Sequence, residues 1–320
     1  MLALAGDRKF KMQLRQRSIV IYTDKIYTKP KVEEYRFKFN KSESKKTYSG
    51  QVTTHSQRRI RKAVQILVQK SKWQTVYNPI TMSEFRFKLN FITLTIPDLC
   101  SDLTAKESYR LLLKPFLQTM QRVHGMRDYI WKAELQKRGT IHYHITTNTF
   151  INFMHIKKRW NKLLEKNGLM SEYIAKHKHN NPNSTDVHKV YNDDNIESYL
   201  EKYISKDEKS KSSVNGKVWD CSISLKSNKL FTVDLSPQNE LNIIKLDKSS
   251  TAKAFTSDYF EIIYFNEPCI IKLLYGYQHK LYNEWLLSLD NVRLTRSRKR
   301  KHSETAKVLN HRFTNSNQIF

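Results

Sequence analysis

The stretch YIWKAELQKRGTIHYHITT, Tyr129–Thr147, contains two segments with the apolar alternation of β-strands, separated by the short loop QKRG. Two such segments joined by a loop that contains glycine predict a β-hairpin. With the loop centred on Arg138 and Gly139 in a left-handed turn conformation, Glu134 stands directly opposite His142. This hairpin decides the fold, because it requires an antiparallel sheet in the middle of the chain.

The second strand of this hairpin separates its polar and apolar side chains. His142 and His144 are two positions apart and therefore project from the same face, while Ile141 and Tyr143 project from the other. Directly opposed side chains have β-carbons about 5 Å apart. Glu134, His142 and His144 are therefore predicted to lie close enough together to share one ion.

Two imidazoles and one carboxylate suit zinc as well as manganese or magnesium, and the residue types alone leave the metal open. A site with three protein ligands keeps positions open for substrate oxygens, as catalysis requires. The alternative is an exposed sheet face whose histidines bind no metal.

Two further polar pairs lie in the following segments. His177 and His179 form a second His-x-His sequence, but the Asn-rich segment around them lacks apolar alternation, which favours loop side chains without a site. Asp186 and His188 share one face of a short predicted strand. They are candidates for a further ligand or an orienting pair.

Charge indicates the class of partner. The 320 residues include 57 Lys and Arg against 30 Asp and Glu, which gives a net charge of +27 and a pI near 9.9. Such an excess favours a polyanion, and the 12% aromatic content adds surfaces on which bases can stack. Nucleic acid is therefore the predicted partner.

Other patterns exclude some classes of protein. No GxxxxGK loop occurs, so no nucleotide-hydrolysing motor is expected. No apolar run is long enough to predict a signal peptide or a membrane span. Three widely spaced cysteines, Cys100, Cys221 and Cys269, fit reduced core thiols. A reducing, cytoplasmic location follows, in the host cell if the protein is viral.

Changes in composition predict four regions. Residues 1–84 are expected to be a basic arm with one helix at 56–70, and residues 85–210 the main domain. Residues 211–292 are expected to form an accessory region of mixed strands and helices, and residues 293–320 a basic, disordered tail.

The main domain is predicted to contain both strands and helices. FRFKLNFITLTI is expected to be one strand that Pro97 ends, followed by a helix at 103–124 with a kink or break at Pro115. Further elements are a helix that ends on Gly168, a polar loop at 175–184, the strand that contains Asp186, and a helix that begins near Asp194.

The last of these helices contains YLEKYISK, Tyr199–Lys206, in which the pattern Tyr-x-x-Lys occurs twice. At 100° per residue Tyr199, Tyr203 and Lys206 share one side of the helix, beside an apolar stripe. The two tyrosines are about 6 Å apart along the axis, so either hydroxyl could reach the same phosphorus atom. For an isolated Tyr-x-x-Lys sequence, packing is the more common reason.

FITLTIP (Phe91–Pro97), GTIHYH (Gly139–His144) and YLEKYISK, in this order, resemble the three motifs of the HUH endonucleases, specifically the two-tyrosine rolling-circle replication initiators of microviruses and related small phages. The resemblance covers about residues 85–206. It implies an α+β fold in which a central antiparallel sheet is flanked by helices, the HUH endonuclease core, with basic N- and C-terminal extensions.

The resemblance also implies roles for individual residues. His142 and His144 would be metal ligands, with Glu134 at the place of an acidic third ligand and Mg²⁺ or Mn²⁺ as the cofactor. Tyr199 and Tyr203 would be the nucleophiles. Lys206, and less directly Lys202, would orient the phosphate or support the metal site.

The activity implied is nicking of single-stranded or melted origin DNA, which leaves a 5′-phosphotyrosyl link and a 3′-hydroxyl primer, followed by rejoining during rolling-circle replication. A host polymerase and a helicase would be partners, with no membrane and no nucleotide. Basic residues of the two extensions are expected to contact phosphates, namely Arg58, Arg59, Arg61, Arg298, Lys299 and Arg300. The alternatives are an HUH relaxase or transposase, and a nucleic-acid-binding protein without enzymatic activity.

Overall fold

A computed structural model of the chain describes residues 10–23, 52–78, 82–97, 103–136, 139–189, 216–249, 253–257, 260–266, 268 and 270–290. Within these ranges the strands are β1 (Phe10–Arg15), β2 (Ser18–Thr23), β3 (Gln74–Asn78), β4 (Ser83–Phe87), β5 (Asn90–Thr95), β6 (Tyr129–Leu135), β7 (Ile141–Thr147), β8 (Thr185–Lys189), β9 (Trp219–Cys221), β10 (Thr232–Asp234), β11 (Lys253–Thr256) and β12 (Phe260–Tyr264). They form two five-stranded sheets and one two-stranded hairpin, and every strand pair is antiparallel.

The described helices are α1 (Thr54–Lys70), α2, α3 (Phe153–Lys166), α4 (Ser171–His177), α5 (Ile223–Ser227), α6 (Pro237–Ser249), α7 (Ile270–Leu273) and α8 (277–290). Helix α2 has three consecutive segments, α-helical over Ala105–Ser108, π-helical over Tyr109–Leu113 and α-helical over Lys114–His124. The mixture of helices and antiparallel sheets agrees with the α+β prediction. None of the described helices combines the length and the apolarity that crossing a bilayer would require.

The sheet that contains the histidine hairpin has the strand order β8-β5-β7-β6-β9. The predicted hairpin is confirmed: Glu134 pairs with His142, and Gly139 has a φ of +83°. That φ is strained for any residue with a β-carbon, which explains the glycine in the turn. One face of the sheet packs on α2 and α3, where the buried ring of Trp160 contacts Tyr143 and Phe116 edge-on.

Helix α2 contains the irregularity that Pro115 predicts. Proline has no backbone N–H and so cannot donate to the carbonyl four residues earlier, that of Leu111. The chain widens there into the π-helical segment, and the amide of Lys114 donates to the carbonyl of Tyr109. The helix then continues and ends at Gly125, whose φ of +66° is left-handed.

The smaller sheet, β10-β1-β2-β12-β11, joins segments from both ends of the described chain. Along β1, Phe10, Met12 and Leu14 are buried and alternate with half-buried polar residues. The expectation of a simple basic arm is therefore wrong for this stretch. Alternation in FKMQLR was the signal in the sequence, but the partner strands lie more than 200 residues away.

Two other expectations about elements need correction. FRFKLNFITLTI forms two strands, because β4 pairs with β3 while β5 pairs with β7 and β8, and the chain changes sheets at Lys88 and Leu89. The predicted loop at 175–184 begins inside α4, which ends at His177. The helix at 56–70, the strand at β8 and the helix that precedes Gly168 are confirmed.

Strand pairing also crosses the expected region boundaries. β9 comes from residues 211–292 but pairs with β6 in the histidine sheet. α1 comes from residues 1–84, and its Ile60, Val64 and Leu67 belong to the core beneath that sheet. The predicted tail, 293–320, lies outside the described residues.

Candidate metal and nucleic-acid site

The histidine face is built by three adjacent strands in one register. β7 places His142 beside Thr95 of β5 on one side and Glu134 of β6 on the other. Two residues along, His144 lies between Thr93 and Lys132. Because paired residues of antiparallel strands point to the same face, these side chains converge.

Each histidine is oriented by a threonine of β5. The Nδ1 atom of His142 is 3.1 Å from the hydroxyl of Thr95, and Nδ1 of His144 is 3.2 Å from that of Thr93. The indole N–H of Trp160 donates to the carbonyl of Thr95 at 2.8 Å and so links the site to the core on the opposite face. With both Nδ1 atoms engaged, each ring presents Nε2 as its possible metal-binding atom.

A glutamine gives His142 a second partner. Nε2 of Gln136 is 2.8 Å from Nδ1 of His142, and Oε1 of Gln136 accepts a hydrogen bond from Thr140 at 3.0 Å. Rotating this amide by half a turn exchanges its oxygen and nitrogen, and Nδ1–H of His142 can then donate to the oxygen. That arrangement leaves the lone pair on Nε2, where a metal ligand needs it.

Glu134 and Lys132 form an ion pair inside the site. Nζ of Lys132 is 2.6 Å from Oε1 of Glu134, and Nε2 of His144 is 3.3 Å from Oε2. The side chain of Lys132 is only 6% exposed, and that of Glu134 17%. The ring of Phe91 stacks on His144 with centroids 5.4 Å apart and restricts its rotation.

The surroundings of these groups favour the protonation states of metal ligands. Burial, with a smaller effect of His144, lowers the pKa of His142 to about 4, so its imidazole is neutral at pH 7. Burial alone would raise the pKa of Glu134, but hydrogen bonds from His144 and Lys132 outweigh it and lower that pKa to about 2. A neutral imidazole and an ionised carboxylate are the forms that bind metals.

The donor set fits a divalent ion in kind, and one pair of its atoms fits in distance. Two ligand atoms that each lie about 2.1 Å from an ion are about 3.0–3.4 Å apart at ordinary coordination angles, which includes the separation between His144 and Glu134. In the described part of the chain, no three His, Cys, Asp or Glu side chains are arranged to enclose an ion. His142 is adjacent, with its ring 4.5 Å from that of His144, so a small rotation would be needed to complete the set.

Sequence reasoning missed the supporting residues Thr93, Thr95, Lys132, Gln136 and Phe91. For the first three and Phe91 a signal existed, since they alternate with apolar residues in FITLT and IWKAE at the spacing of one sheet face. Gln136 lies at the start of the loop, where alternation no longer predicts which face a side chain occupies.

The other candidate pairs lie outside this cluster. Asp186 and His188 form an ion pair with each other, and both are more than half exposed. Their strand, β8, is separated from β7 by β5. The ring of His177 stacks on Tyr173, with centroids 4.4 Å apart, and His179 lies against the same tyrosine.

The basic residues expected to contact DNA are described only in part. Arg58, Arg59 and Arg61 are exposed on α1, and the guanidinium of Arg59 lies 5.5 Å from the centre of the Trp219 ring. Arg298, Lys299 and Arg300 lie outside the described residues. Of the three cysteines only Cys221 is described; it is a free, buried thiol whose pKa burial raises to about 12.

The four candidate nucleophile and lysine positions, Tyr199, Lys202, Tyr203 and Lys206, also lie outside the described residues. A comparison with protein families does include them. Residues 89–208 match the family model of the replication-associated protein ORF2. The match starts one residue before β5, contains β6, β7 and β8, and covers less than half of the chain.

This match indicates a replication-associated protein and is consistent with a rolling-circle replication initiator. It also agrees with DNA as the partner of a chain with a charge of +27. No curated protein and no solved structure matches the chain significantly.

Proposed function

We propose that the chain is a replication initiator of the HUH type, which nicks and rejoins single-stranded or locally melted origin DNA in rolling-circle replication. The observation that carries the proposal is the register that brings His142, His144 and Glu134 together on one face of the sheet. The family match, which spans these residues and both tyrosines, supports it.

His142, His144 and Glu134 would hold a divalent ion, Mg²⁺ or Mn²⁺. When bound, such an ion withdraws charge from the oxygens of the scissile phosphate. Thr93 and Thr95 orient the two imidazoles. Lys132 keeps a positive charge beside Glu134 and next to the developing negative charge on the phosphate.

Tyr199 or Tyr203 would be the attacking group. Its phenolic oxygen forms a bond to phosphorus while the bond from phosphorus to the 3′ oxygen breaks, and the phenolic proton is in balance transferred to that 3′ oxygen. The products are a 5′-phosphotyrosyl link and a 3′-hydroxyl primer for a host polymerase. Transesterification keeps a phosphodiester-type bond, so no nucleotide is consumed.

The second tyrosine would attack the regenerated origin junction after one round of synthesis. Its attack releases a 3′-hydroxyl, which can rejoin the first 5′ end and close a circle. Lys206 and Lys202, one turn apart on the same predicted helix, would orient the phosphate. A helicase and the host cytoplasm are the expected partner and location.

The test is adduct formation on DNA. The full chain is incubated with Mg²⁺ or Mn²⁺ and overlapping labelled single-stranded oligonucleotides from the replicon that encodes it, and a denaturant-resistant protein-DNA adduct is expected. Tyr199→Phe and Tyr203→Phe should each leave some adduct, the double variant none, and His142→Ala none.

Tyr264→Phe is the matched control, because Tyr264 is exposed on the smaller sheet, and it should form adduct like the native chain. Undiminished adduct in the double tyrosine variant would contradict the mechanism. Absence of adduct with every oligonucleotide and both metals would favour a binding protein without enzymatic activity. A relaxase or transposase would form adduct at a site other than a replication origin.

A further inference from the structure

The hairpin of β3 and β4 exposes a row of aromatic and cationic side chains on one face. Thr75 pairs with Arg86, and Tyr77 pairs with Glu84, so these side chains share the outer face. Trp73, two residues before Thr75, continues the row. The guanidinium of Arg86 lies 5.1 Å from the centre of the Trp73 ring, and Tyr77 is 55% exposed.

The inner face of the same hairpin holds it on the protein. The rings of Phe85 and Phe87 each lie within 6 Å of the ring of Phe150, and Phe87 is fully buried. Neither Trp73 nor Tyr77 belongs to either apolar core. Packing of the fold therefore does not account for two large aromatic rings on the outer face.

We propose that this outer face binds single-stranded DNA by base stacking, an inference that rests on the proposed function because it names how that activity holds its substrate. Every nucleobase has a π-face that can stack on Trp, Tyr or a guanidinium plane. Between Lys72 and Lys88 the charged residues are Lys72, Glu84, Arg86 and Lys88, a net charge of 3 − 1 = +2. Aromatic rings beside positive charge match the bases and phosphates of a single strand.

The dimensions of the hairpin suit several nucleotides. Trp73 and Tyr77 are four residues apart on a strand, about 13 Å at 3.3 Å per residue. Stacked nucleotides rise about 3.4 Å each, so the row can hold up to about four bases. A flat duplex end offers only one base pair for stacking, which makes the surface selective for single strands.

The hairpin also lies close to the histidine face along the chain. β4 leads into β5 after only Lys88 and Leu89, and Thr93, which bonds His144, is five residues beyond Lys88. Five extended residues span at most about 17 Å. A strand held on the hairpin is therefore within a few nucleotides of the site proposed for cleavage.

The experiment measures binding by the full chain without metal, using fluorescence anisotropy of a labelled 12-nucleotide single strand and of a duplex with the same sequence. Tyr77→Ala should weaken single-strand binding at least about fivefold, the effect of one lost stacking contact. Its duplex affinity should stay within twofold of the native value. Tyr77→Phe, which keeps the ring, should bind the single strand like the native chain.

Arg86→Ala should give a different signature. Loss of one phosphate contact lowers the slope of log affinity against log salt by about 0.7 for single strands, whereas Tyr77→Ala should leave that slope unchanged. Tyr264→Ala serves as the control for loss of an exposed tyrosine on a sheet and should bind like the native chain.

Single-strand binding by Tyr77→Ala within twofold of native, or binding by Tyr77→Phe as weak as that of Tyr77→Ala, would overturn the proposal. Adduct formation separates this result from the proposed function. If the hairpin only holds DNA, Tyr77→Ala should form adduct at the native rate once DNA is saturating. Native chain that binds in the predicted way but forms no adduct would contradict the nickase and leave the binding surface standing.

Discussion

At the scale of single residues, the orientation of His142 depends on the side chains that contact its Nδ1. Thr95 and Gln136 both reach this atom, at 3.1 and 2.8 Å. A partner on one ring nitrogen decides which tautomer is populated and therefore which nitrogen can bind a metal. Gln136 is accordingly a positioning residue for the proposed ion.

Replacing Gln136 by Leu should weaken binding of Mn²⁺ about 10- to 100-fold, because a lost partner of a ligand histidine typically has this effect. Isothermal titration calorimetry of the chain without DNA measures it. Gln136→Glu keeps an oxygen that accepts from Nδ1–H and should restore most of the affinity. Equal affinities for Gln136→Leu and the native chain would contradict the role.

The ion pair between Lys132 and Glu134 makes a prediction about stability. Glu134→Gln removes the negative charge beside a lysine that is 6% exposed, and the free energy of unfolding should fall by about 1–3 kcal/mol. Lys132→Met combined with Glu134→Gln should recover part of this loss. Urea unfolding at pH 7 gives the comparison, and a single Glu134→Gln variant as stable as the native chain would contradict it.

At the scale of elements, Asp220 joins β9 to the segments on either side of it. Its carboxylate forms ion pairs with Lys217 and Lys226 and accepts the amide N–H of Cys221 at 2.8 Å. Burial would raise the pKa of Asp220, but the hydrogen bonds from both lysines outweigh it and lower the pKa. The short edge strand is therefore stabilised by charge as well as by backbone pairing.

This lowered pKa predicts a pH dependence. A carboxyl whose pKa is lower in the folded state contributes stability above its unfolded pKa, near 3.8, and loses it as pH falls through the folded value. Asp220→Asn should therefore cost about 1–2 kcal/mol at pH 7 and much less below about pH 3. Urea unfolding at both pH values measures the difference, and an equal cost at both would contradict the prediction.

How much of an element the sequence predicts depends on how local its causes are. The turn at Gly139, the break before Pro115 and the register of Glu134 with His142 follow from neighbouring residues, and all agree with the structure. The split of FRFKLNFITLTI into two strands does not. It depends on β3 and β7, which pair with successive halves of one apolar run.

At the scale of the whole molecule, the two sheets are connected by a few specific contacts. The ring of Trp285 packs against both apolar cores, and its indole N–H donates to the carbonyl of Lys229 at 2.9 Å. Lys70 of α1 forms a buried ion pair with Asp128 at 2.8 Å and a second pair with Asp290 at 3.3 Å. Segments distant in sequence therefore share one structure.

A fragment of residues 85–210 should consequently fail to unfold cooperatively. It lacks β9 and the buried side chains of α1, so apolar surface under the histidine sheet would be exposed to water. A fragment of residues 52–290 retains both and should show a sigmoidal urea transition by circular dichroism. A cooperative transition of 85–210 with comparable stability would show that the predicted central region is an independent domain.

The sequence by itself determined the features that act over a few residues. These are the hairpin, the shared face of His142 and His144, their pairing with Glu134, and the positive charge that predicts a nucleic-acid partner. Alternation and turn chemistry operate locally, so one stretch is enough to reveal them.

Only the tertiary structure decided which side chains support the histidines and which segments complete each sheet. Thr93 and Thr95 reach the imidazoles because β5 pairs with β7 across some 50 residues of sequence. β1 and β12 are neighbours of β2 although more than 200 residues separate them. Such pairings are selected by the burial of apolar surface across the whole chain, a quantity that no short pattern contains.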